Sequence, residues 1–487
     1  MSEPAPPAGG GRPPSGFGPR ASLKILPKIG YLLGARWFQE GLTTVFFIAL
    51  ARVSTTTFGD FMMALGLGSI LLMVAEFGLN LPLVRLAAGP PEKRSAVLSQ
   101  VLTLKLGCLL LAGLGALGFV FWQDYPRGLA GLLLLIGLGV ALEAVASTFF
   151  VVLQVEGRQD LEAKIRAAGT LGGFGFGLTA LVLGAPPLVI ALFKVIDSIL
   201  KMIGCLWLAW RRQHLHWRRP HLASLWSLLR LGMIFALMEI TASVYNKANL
   251  FFLQRQGGSE AVAQYSAAWQ VVDGVSCLVA NLVLQNILYP VFVRLWHQDR
   301  PAVVPLARQT AAWLLAAAMP LMFFLWVESD RLIPLVFGPD FSQAVWLQRI
   351  LVLTILIAFW HNLALFLLLS MGWEKPLLGV YVLGLAVNLF WCAVILPRNP
   401  LLGAALAIIV TKGLVAVGTI GMVHHRLGFW AGRDLGEAAM AVAAAIMVYL
   451  AGMRTLPREA AEALTLIPFG VLAWRWWQSK VRAAQTS

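Results

Sequence analysis

Long apolar stretches separated by short polar connections follow one another along almost the whole chain. A transmembrane helix needs about 20 predominantly apolar residues, and stretches of that length recur here. Alternating segments of about ten residues, which are typical of membrane β-strands, do not occur. The pattern predicts an all-α polytopic membrane protein with about 14 transmembrane helices. The predicted spans cover residues 30–52, 58–81, 96–121, 128–153, 165–184, 187–210, 226–253, 262–290, 306–327, 346–371, 376–396, 401–423, 435–453 and 460–477.

Composition excludes a soluble enzyme. Hydrophobic residues make up 59% of the chain and charged residues only 13%, whereas about a quarter of the residues in a soluble protein are charged. The four cysteines each stand alone in an apolar stretch, without the spacing of a metal site or a disulfide framework. We therefore expect neither a cofactor nor a metal.

The positive charge predicts the orientation in the membrane. The 487 residues carry 38 Lys and Arg against 23 Asp and Glu, a net charge of +15. One alternating set of connections holds about 23 of the basic residues and the other set about seven. Cytoplasmic connections are enriched in Lys and Arg, so we expect a multi-pass plasma-membrane (bacterial inner-membrane) protein with cytoplasmic N- and C-termini. The scattered charge does not indicate nucleic-acid binding.

An internal repeat divides the spans into two lobes. An apolar helix ends at Arg52 and again at Arg255, and each time a short polar hairpin leads into the next span. Six spans separate the two copies, so both lobes have the same orientation. The predicted organisation is a disordered cytoplasmic tail (1–28), an N-lobe of six spans (29–211), a basic cytoplasmic inter-lobe loop (212–225), a C-lobe of six spans (226–424), and two C-terminal spans with a short cytoplasmic tail (425–487).

Charged residues inside the spans are the candidate functional groups. A charge at the bilayer centre costs about 2.5–3.5 kcal/mol, so it normally faces protein or water. Because these charges are spread over several helices, we expect one central cavity, and the slight excess of cations suits an anionic substrate. Ion pairs between helices remain the alternative. We expect Arg36 to face Glu40, and Glu239 to lie on the same side of its helix as Lys247. The other charges considered are Glu143, Lys194, Asp197, Lys201, Asp273 and Lys412.

Several short motifs occur in a recognisable order along the chain. They are Arg52, Phe58-Gly59, Glu76-Phe77-Gly78-Leu79 and Arg85 in the first lobe, then Tyr265-Ser266-Ala267-Ala268, Val336-Phe337-Gly338-Pro339-Asp340-Phe341, Asn388 and Gly403-Ala404-Ala405. In this order the sequence resembles the polysaccharide-exporter, or oligosaccharide flippase, branch of the MOP (multidrug/oligosaccharidyl-lipid/polysaccharide) superfamily. The likeness covers nearly the whole chain after residue 28.

The resemblance implies a transporter and not an enzyme. It implies a flippase that moves a polyprenyl-(pyro)phosphate-linked oligosaccharide from the cytoplasmic to the outer leaflet by alternating access, for cell-surface polysaccharide such as O-antigen. The partners implied are this substrate, membrane lipid, H⁺ or Na⁺ as coupling ion, and a glycan polymerase. We expect the head group at Arg36, Arg52, Lys247 and Lys412, and coupling or gating at Glu40, Glu239 and Asp273.

One departure from the family pattern concerns coupling. The family often has an Asp before a basic residue in the seventh span, where this chain has Asn246-Lys247. The cation is kept and the acid is lost, which puts ion coupling through this position in doubt.

Three other functions remain as alternatives. A multidrug exporter of the same superfamily is disfavoured because it would have about twelve spans and an acid-rich cavity. A membrane enzyme that polymerises or ligates glycans would normally carry a large outer loop, and the longest outer connection here is only residues 328–345. A scaffolding protein would not require so many charges inside the membrane.

Overall fold

The computed structural model describes residues 19–79, 83, 91–211, 222–428 and 432–485. Regular secondary structure in these residues is entirely helical, with sixteen α-helices. They are α1 (Pro19–Val53), α2 (Thr55–Glu76), α3 (Pro91–Trp122), α4 (Arg127–Val155), α5 (Gln159–Val182), α6 (Pro187–Arg211), α7 (Leu222–Val279), α8 (Tyr289–Gln298), α9 (Arg300–Val327), α10 (Ser329–Phe337), α11 (Ser342–Leu351), α12 (Leu353–Ser370), α13 (Glu374–Val394), α14 (Pro400–Leu427), α15 (Gly432–Gly452) and α16 (Arg458–Gln485). A π-helical segment, Ala280–Leu288, connects α7 to α8, and a 3₁₀ turn, Leu396–Arg398, precedes α14.

The helix lengths confirm an all-α polytopic membrane protein. Ten helices of the described part are long and apolar enough to cross a membrane, and one of them, Ala223–Cys277, contains the predicted span 226–253 and the first part of the span 262–290. The predicted spans 30–52, 187–210 and 460–477 coincide with α1, α6 and α16, which are not among the ten. Helix α6 is not among the ten because it carries the charged residues Lys194, Asp197 and Lys201.

Two predicted polar segments fall partly outside the described residues. Helix α1 begins at Pro19, within the segment 1–28 that was predicted to be a tail, and residues 1–18 lie outside the described part. Helix α7 begins at Leu222, within the predicted inter-lobe loop, of which 212–221 lie outside it. Arg85 of the first-lobe motif also lies outside the described residues.

Helices α1–α6 pack around an aromatic core. Helix α6 packs against α4 and α5, α1 packs against α5, and α2 packs against α4. The ring of Phe193 on α6 lies 4.6 Å from that of Phe46 and 4.9 Å from that of Phe174, measured between centroids. Close approach of α5 to α6 requires Gly173, since a Cβ there would lie 2.6 Å from the Phe193 carbonyl oxygen.

The second lobe is built on the long helix α7. Helix α7 packs against α11, α13 and α14, and α12 packs against α14. Helices α15 and α16 pack against each other and are joined to this lobe through α9. The two C-terminal spans therefore form an addition to the side of the lobe.

Helix α7 contains the second copy of the predicted hairpin. Gly258 has φ +70° and ψ −174°, a conformation that glycine adopts readily and other residues rarely adopt. Residues 246–250 before it and 265–277 after it line the same cavity, so the second arm (259–279) folds back beside the first (222–257). In the first copy the reversal lies at Ser54, whose side chain caps α2 by accepting a hydrogen bond from Thr57 N at 3.2 Å.

The two hairpin tips meet in a tight contact between the lobes. A Cβ on Gly59 would lie 1.9 Å from the Ser259 carbonyl oxygen, so only glycine fits this position. The Ser259 hydroxyl donates a hydrogen bond to the Asp60 carboxylate and accepts one from Gln254 Nε2 at 3.0 Å. The N-terminus of α2 is thereby fixed to the tip of α7.

Aromatic rings and an arginine extend this contact to α10. The ring centroid of Phe58 lies 5.9 Å from that of Phe337 and 5.8 Å from that of Phe341. Arg52 donates hydrogen bonds to the carbonyl oxygens of Leu335 and Val336. The resemblance motifs at 52, 58–59 and 336–341 thus meet in one place. We call this contact the inter-lobe seal, and it consists of Arg52, Phe58, Gly59, Asp60, Ser259, Leu335, Val336, Phe337 and Phe341.

An ion network fixes the start of α16 to α9 and α10. Arg458 donates hydrogen bonds from both terminal nitrogens to Asp330 at 2.8 Å, and from Nε to Glu462 at 2.9 Å. It also lies 2.9 Å from a Glu328 oxygen. The hydrogen bonds from Arg458 lower the pKa of Asp330 to about 2, so this carboxylate is ionised at any physiological pH.

Gly59→Ala should open the inter-lobe seal. The added methyl group would overlap the Ser259 carbonyl, and overpacking of this kind costs about 1–3 kcal/mol, which shifts a two-state equilibrium at least several-fold. We expect lower cross-linking yield between cysteines introduced at 60 and 259 in a chain without native cysteines. Gly118→Ala is the control, because a Cβ at Gly118 meets open space. Unchanged cross-linking in the Gly59 variant would contradict the tight contact.

Arg458→Ala should loosen the C-terminal helices. The substitution removes charged hydrogen bonds to two helices, and we expect the apparent Tm of the detergent-solubilised protein to fall by about 2–4 °C. Arg454→Ala removes an exposed arginine of the α15–α16 connection and should leave the Tm unchanged. Equal Tm values for the two variants would show that the network does not contribute to stability.

Candidate functional site

A cavity of about 930 Å³ lies between the lobes beside the inter-lobe seal. Its walls come from α1, α2 and α5 of the first lobe and from both arms of α7. The lining residues are Trp37, Gln39, Glu40, Thr43, Thr44, Phe47, Met62, Leu65, Gly66, Ser69, Arg166, Asn246, Lys247, Leu250, Tyr265, Ser266, Trp269, Gln270, Asp273, Gly274 and Cys277.

Helix α1 contributes one continuous face to the cavity. Residues 37, 40, 43, 44 and 47 are three or four apart, the spacing that places side chains on one side of a helix. Val45, on another side of α1, is exposed on the outer surface, where a membrane protein meets lipid. Glu40, a predicted coupling residue, is thereby placed in the cavity.

Lys247 is the cation on the C-lobe wall of the cavity. It lies on the first arm of α7, next to Asn246, whose amide donates a hydrogen bond to the Ala242 carbonyl oxygen at 2.8 Å. No carboxylate lies within ion-pair distance of Lys247 among the described side chains. A cation of this kind inside a membrane protein is a candidate for binding an anionic ligand.

Lys412 and Asp273 form an ion pair at the edge of the cavity. The Lys412 ammonium lies 3.7 Å from Asp273 Oδ1 and 4.4 Å from the ring centroid of Trp269. Trp269 is stacked on Tyr265, with centroids 6.2 Å apart and planes 6° from parallel. Lys412 is therefore held by a carboxylate and an aromatic face, and its charge is available to a ligand only in competition with Asp273.

Arg166 is a cavity cation that is not among the residues predicted for the site. Helix α5 already begins at Gln159, so Arg166 lies in its second turn and lines the cavity. Its Nε donates to Glu162 at 2.9 Å and its guanidinium lies 4.1 Å from the ring centroid of Phe150. Glu162 also accepts a hydrogen bond from Gln154 at 3.0 Å. These partners fix the guanidinium, and in the described part of the chain no side chain accepts a hydrogen bond from its terminal nitrogens.

Four other intramembrane charges neutralise one another between α4 and α6. Lys194 donates a hydrogen bond to Glu143 and lies 3.6 Å from Asp197, while Lys201 donates to Asp197 at 2.8 Å and lies 3.7 Å from Glu143. All four are buried or nearly so. This cluster fits the alternative of structural ion pairing, because each buried charge has an opposite charge beside it.

Four predicted site residues are not among the described lining residues, and Lys412 at the edge of the cavity is one of them. Arg52 lies in the inter-lobe seal, and its guanidinium is bonded to carbonyl oxygens of α10. Glu239 is exposed and does not share the cavity face with Lys247, because eight residues advance a helix by about 80° beyond two turns. The side chain of Arg36 lies outside the described part of the chain, although its backbone belongs to α1.

The described lining carries charges of both signs. It combines Lys247 and Arg166 with Glu40, Asp273 and uncharged hydrogen-bonding groups such as Gln270. Among the described residues, no group of three His, Cys, Asp or Glu side chains is placed to hold a metal ion. The groups of the lining can bind a polar, hydroxyl-rich ligand by charge and hydrogen bonding.

Comparison with solved structures identifies the fold. The lipid II flippase MurJ in an inward closed conformation is similar with a TM-score of 0.67 and 11% identity, over 93% of this chain and 99% of that one. An inward-facing multidrug resistance MATE transporter of the MOP superfamily has a TM-score of 0.61 and 13% identity, over 80% and 94%. A MOP superfamily transporter from Pyrococcus furiosus, described as having a binding pocket of reversed polarity, has a TM-score of 0.52 and 13% identity, over 82% and 95%.

Comparison with protein families identifies the sequence. No curated protein matches the chain. The profile of the family described as "Polysaccharide biosynthesis protein" matches residues 25–296, more than half of the chain. With the helices and the cavity already described, the chain belongs to the polysaccharide biosynthesis protein family and is a polytopic membrane protein with the fold of the MOP superfamily transporters.

Proposed function

We propose that this protein is a flippase for a polyprenyl-(pyro)phosphate-linked oligosaccharide used in cell-surface polysaccharide biosynthesis. The observation that carries the proposal is Lys247, a cation that lines the inter-lobe cavity without a carboxylate partner among the described side chains. In the alternative of a multidrug exporter, the acids of the lining, Glu40 and Asp273, would bind an organic cation, and Asp273 is already within ion-pair distance of Lys412. The family assignment supports a role in polysaccharide synthesis.

The three chemical parts of such a substrate match three environments. The phosphate would bind Lys247, with Arg166, Arg36 and Lys412 as further cations, and the sugar would lie among the polar groups of the cavity. The polyprenyl tail would remain in lipid, where its apolar surface is not exposed to water. A soluble head group and an apolar tail can thus cross together only if the cavity communicates laterally with the bilayer.

Alternating access would use the inter-lobe seal as the outer gate. With cytoplasmic termini, the hairpin tips at Ser54 and Gly258 lie on the outer side of the membrane. The cavity is then closed outward by Phe58, Arg52 and their partners, and the substrate would enter from the cytoplasmic side. Arg52, which we expected at the head group, would act in this gate because its donors are already bound to α10.

Asp273 is the acid that we propose for coupling to H⁺, ahead of Glu40 and Glu239. It faces the cavity and is within ion-pair distance of Lys412. Protonation of the Asp273 carboxylate would remove the partner of the Lys412 ammonium, which would then be free to bind phosphate. Binding of a proton and binding of an anionic substrate would thereby be linked.

Lys247→Ala should abolish function. Loss of a charged contact to phosphate removes about 1.5–3 kcal/mol of binding, equivalent to roughly 10–100-fold. In a flippase-deficient host we expect surface glycan to disappear at normal protein levels, and Arg36→Ala should behave in the same way. Lys247→Arg keeps the charge and should retain part of the activity.

Lys375→Ala is the matched control, because Lys375 is an exposed lysine at the start of α13 that does not line the cavity. Normal glycan display by Lys247→Ala would remove the phosphate site. Failure of the wild-type protein to flip a fluorescent lipid-linked glycan in proteoliposomes, together with resistance to organic cations in cells, would favour the multidrug exporter instead.

Asp273→Asn should uncouple transport from the proton gradient. The amide cannot take up a proton, so lipid-linked glycan flipping in proteoliposomes should no longer change when a pH gradient is imposed. Glu239→Gln should leave the gradient dependence intact, since Glu239 is remote from Lys412 and from the cavity lining. The reverse result would assign coupling to Glu239.

A further inference from the structure

Trp37 is the one large aromatic side chain of the described cavity lining that is mostly exposed. More than half of its surface, 54%, is accessible, and in the described part of the chain no aromatic ring or cation lies against its indole. Exposed apolar surface of this size is unfavourable in contact with water and is commonly a binding surface. Because Trp37 lines the cavity, its exposed indole is a surface on which a ligand can bind.

The other aromatic side chains of the cavity already have partners. Trp269 is 7% exposed, and it contacts Tyr265 through ring stacking and Lys412 through a cation–π contact. Phe47 lies 5.1 Å from Phe46 and 6.4 Å from Phe193 between ring centroids. Only Trp37, of these three, offers its ring to a ligand.

The side chains around Trp37 on α1 are uncharged hydrogen-bonding groups and one acid. Gln39, Thr43 and Thr44 follow on the cavity side of the helix with Glu40. The Thr44 hydroxyl donates to the Glu40 carbonyl oxygen at 2.8 Å and can still accept a hydrogen bond. This wall combines an apolar ring face with donors and acceptors at its rim, and it lacks a cation among its described side chains.

A sugar ring has the complementary chemistry. One face of a pyranose presents carbon–hydrogen bonds, which are slightly positive and fit the negative face of an indole, while its hydroxyl groups point outward to hydrogen-bonding partners. None of the described side chains of this wall is a cation that would attract a phosphate. The cations Lys247 and Arg166 lie on other helices, α7 and α5.

Trp37 and the inter-lobe seal lie far apart along α1. Trp37 lies seventeen residues before Ser54, roughly 25 Å along the axis of α1 at 1.5 Å per residue. An occupant of Trp37 is therefore at the end of the cavity remote from the hairpin tips, where a polar group entering from the side opposite the seal would arrive first.

We propose that Trp37, with Thr44 in line with it on the same side of α1, forms a glycan subsite in which a sugar ring of the substrate stacks on the indole. The subsite rests on the proposed flippase function and adds to it separate binding sites for the sugar and the phosphate. The N-lobe wall at α1 binds the sugar, and Lys247 on the C-lobe wall binds the phosphate. One substrate molecule then contacts both lobes at once, and its release allows them to separate.

The test compares two probes that differ only in the sugar. Farnesyl diphosphate and farnesyl-diphosphate-linked N-acetylglucosamine are titrated into the purified full-length protein in nanodiscs, and both Kd values are measured by calorimetry. We expect the wild-type protein to bind the glycosylated probe more tightly. Trp37→Ala should weaken binding of the glycosylated probe about tenfold, equivalent to about 1.4 kcal/mol, and leave the bare diphosphate unchanged. Trp37→Phe keeps an aromatic face and should retain most of the difference.

Trp122→Ala is the matched control, since Trp122 is 76% exposed at the end of α3 and does not line the cavity. Equal weakening of both probes by Trp37→Ala, or no effect on either, would overturn the glycan subsite. Wild-type protein that binds the two probes equally would overturn the subsite and leave the flippase proposal standing. Wild-type protein that binds neither probe would overturn both.

Discussion

A charge inside a membrane must have an opposite charge, a polar group or a ligand beside it, and this requirement organises the interior of the protein. Between α4 and α6 it is met internally, because two lysines and two carboxylates neutralise one another. In the inter-lobe cavity it is met only in part, since Asp273 offsets Lys412 while Lys247 lacks an acidic partner among the described side chains. The fully paired charges between α4 and α6 fit a structural role, and the incompletely paired charges of the cavity fit the proposed binding role.

The lobes touch at both ends of α2. At the hairpin tips the backbones approach so closely that glycine is required at position 59, and phenylalanine rings fill the space beside it. Just after the C-terminal end of α2, a Cβ on Gly78 would lie 2.7 Å from the backbone nitrogen of Ala236 on α7. Helices α2 and α7 thus join the two bundles along their length, and the cavity lies beside this contact. A rocking motion between the repeats would take place about the shared contact.

The sequence predicts the helices well because the length of an apolar stretch is fixed by the thickness of a bilayer. It also predicts the repeated hairpin. Three of the charges that it proposes for the site, Glu40, Lys247 and Asp273, line one cavity, and their roles stay predictions. The prediction fails where it depends on rotation about a helix or on residues distant in sequence. The partners of Arg52 are more than 280 residues away, and the angle between Glu239 and Lys247 depends on the turn of the helix. Arg166 lies at the edge of the predicted span 165–184 and is not among the predicted site residues, although Glu162 four residues earlier indicates that the helix begins sooner.

The position of the seal also determines where the electrical field acts. If the cavity is continuous with the cytoplasm, most of the membrane voltage falls across the short distance occupied by Phe58, Gly59 and their partners. In the proposed mechanism, a phosphate leaving Lys247 for the outer leaflet would cross that distance with its negative charge. Each charge gains about 2.3 kcal/mol per 100 mV in an inside-negative membrane. The voltage itself would then drive the head group outward, and a flippase of this construction could work even where coupling to an ion is weak.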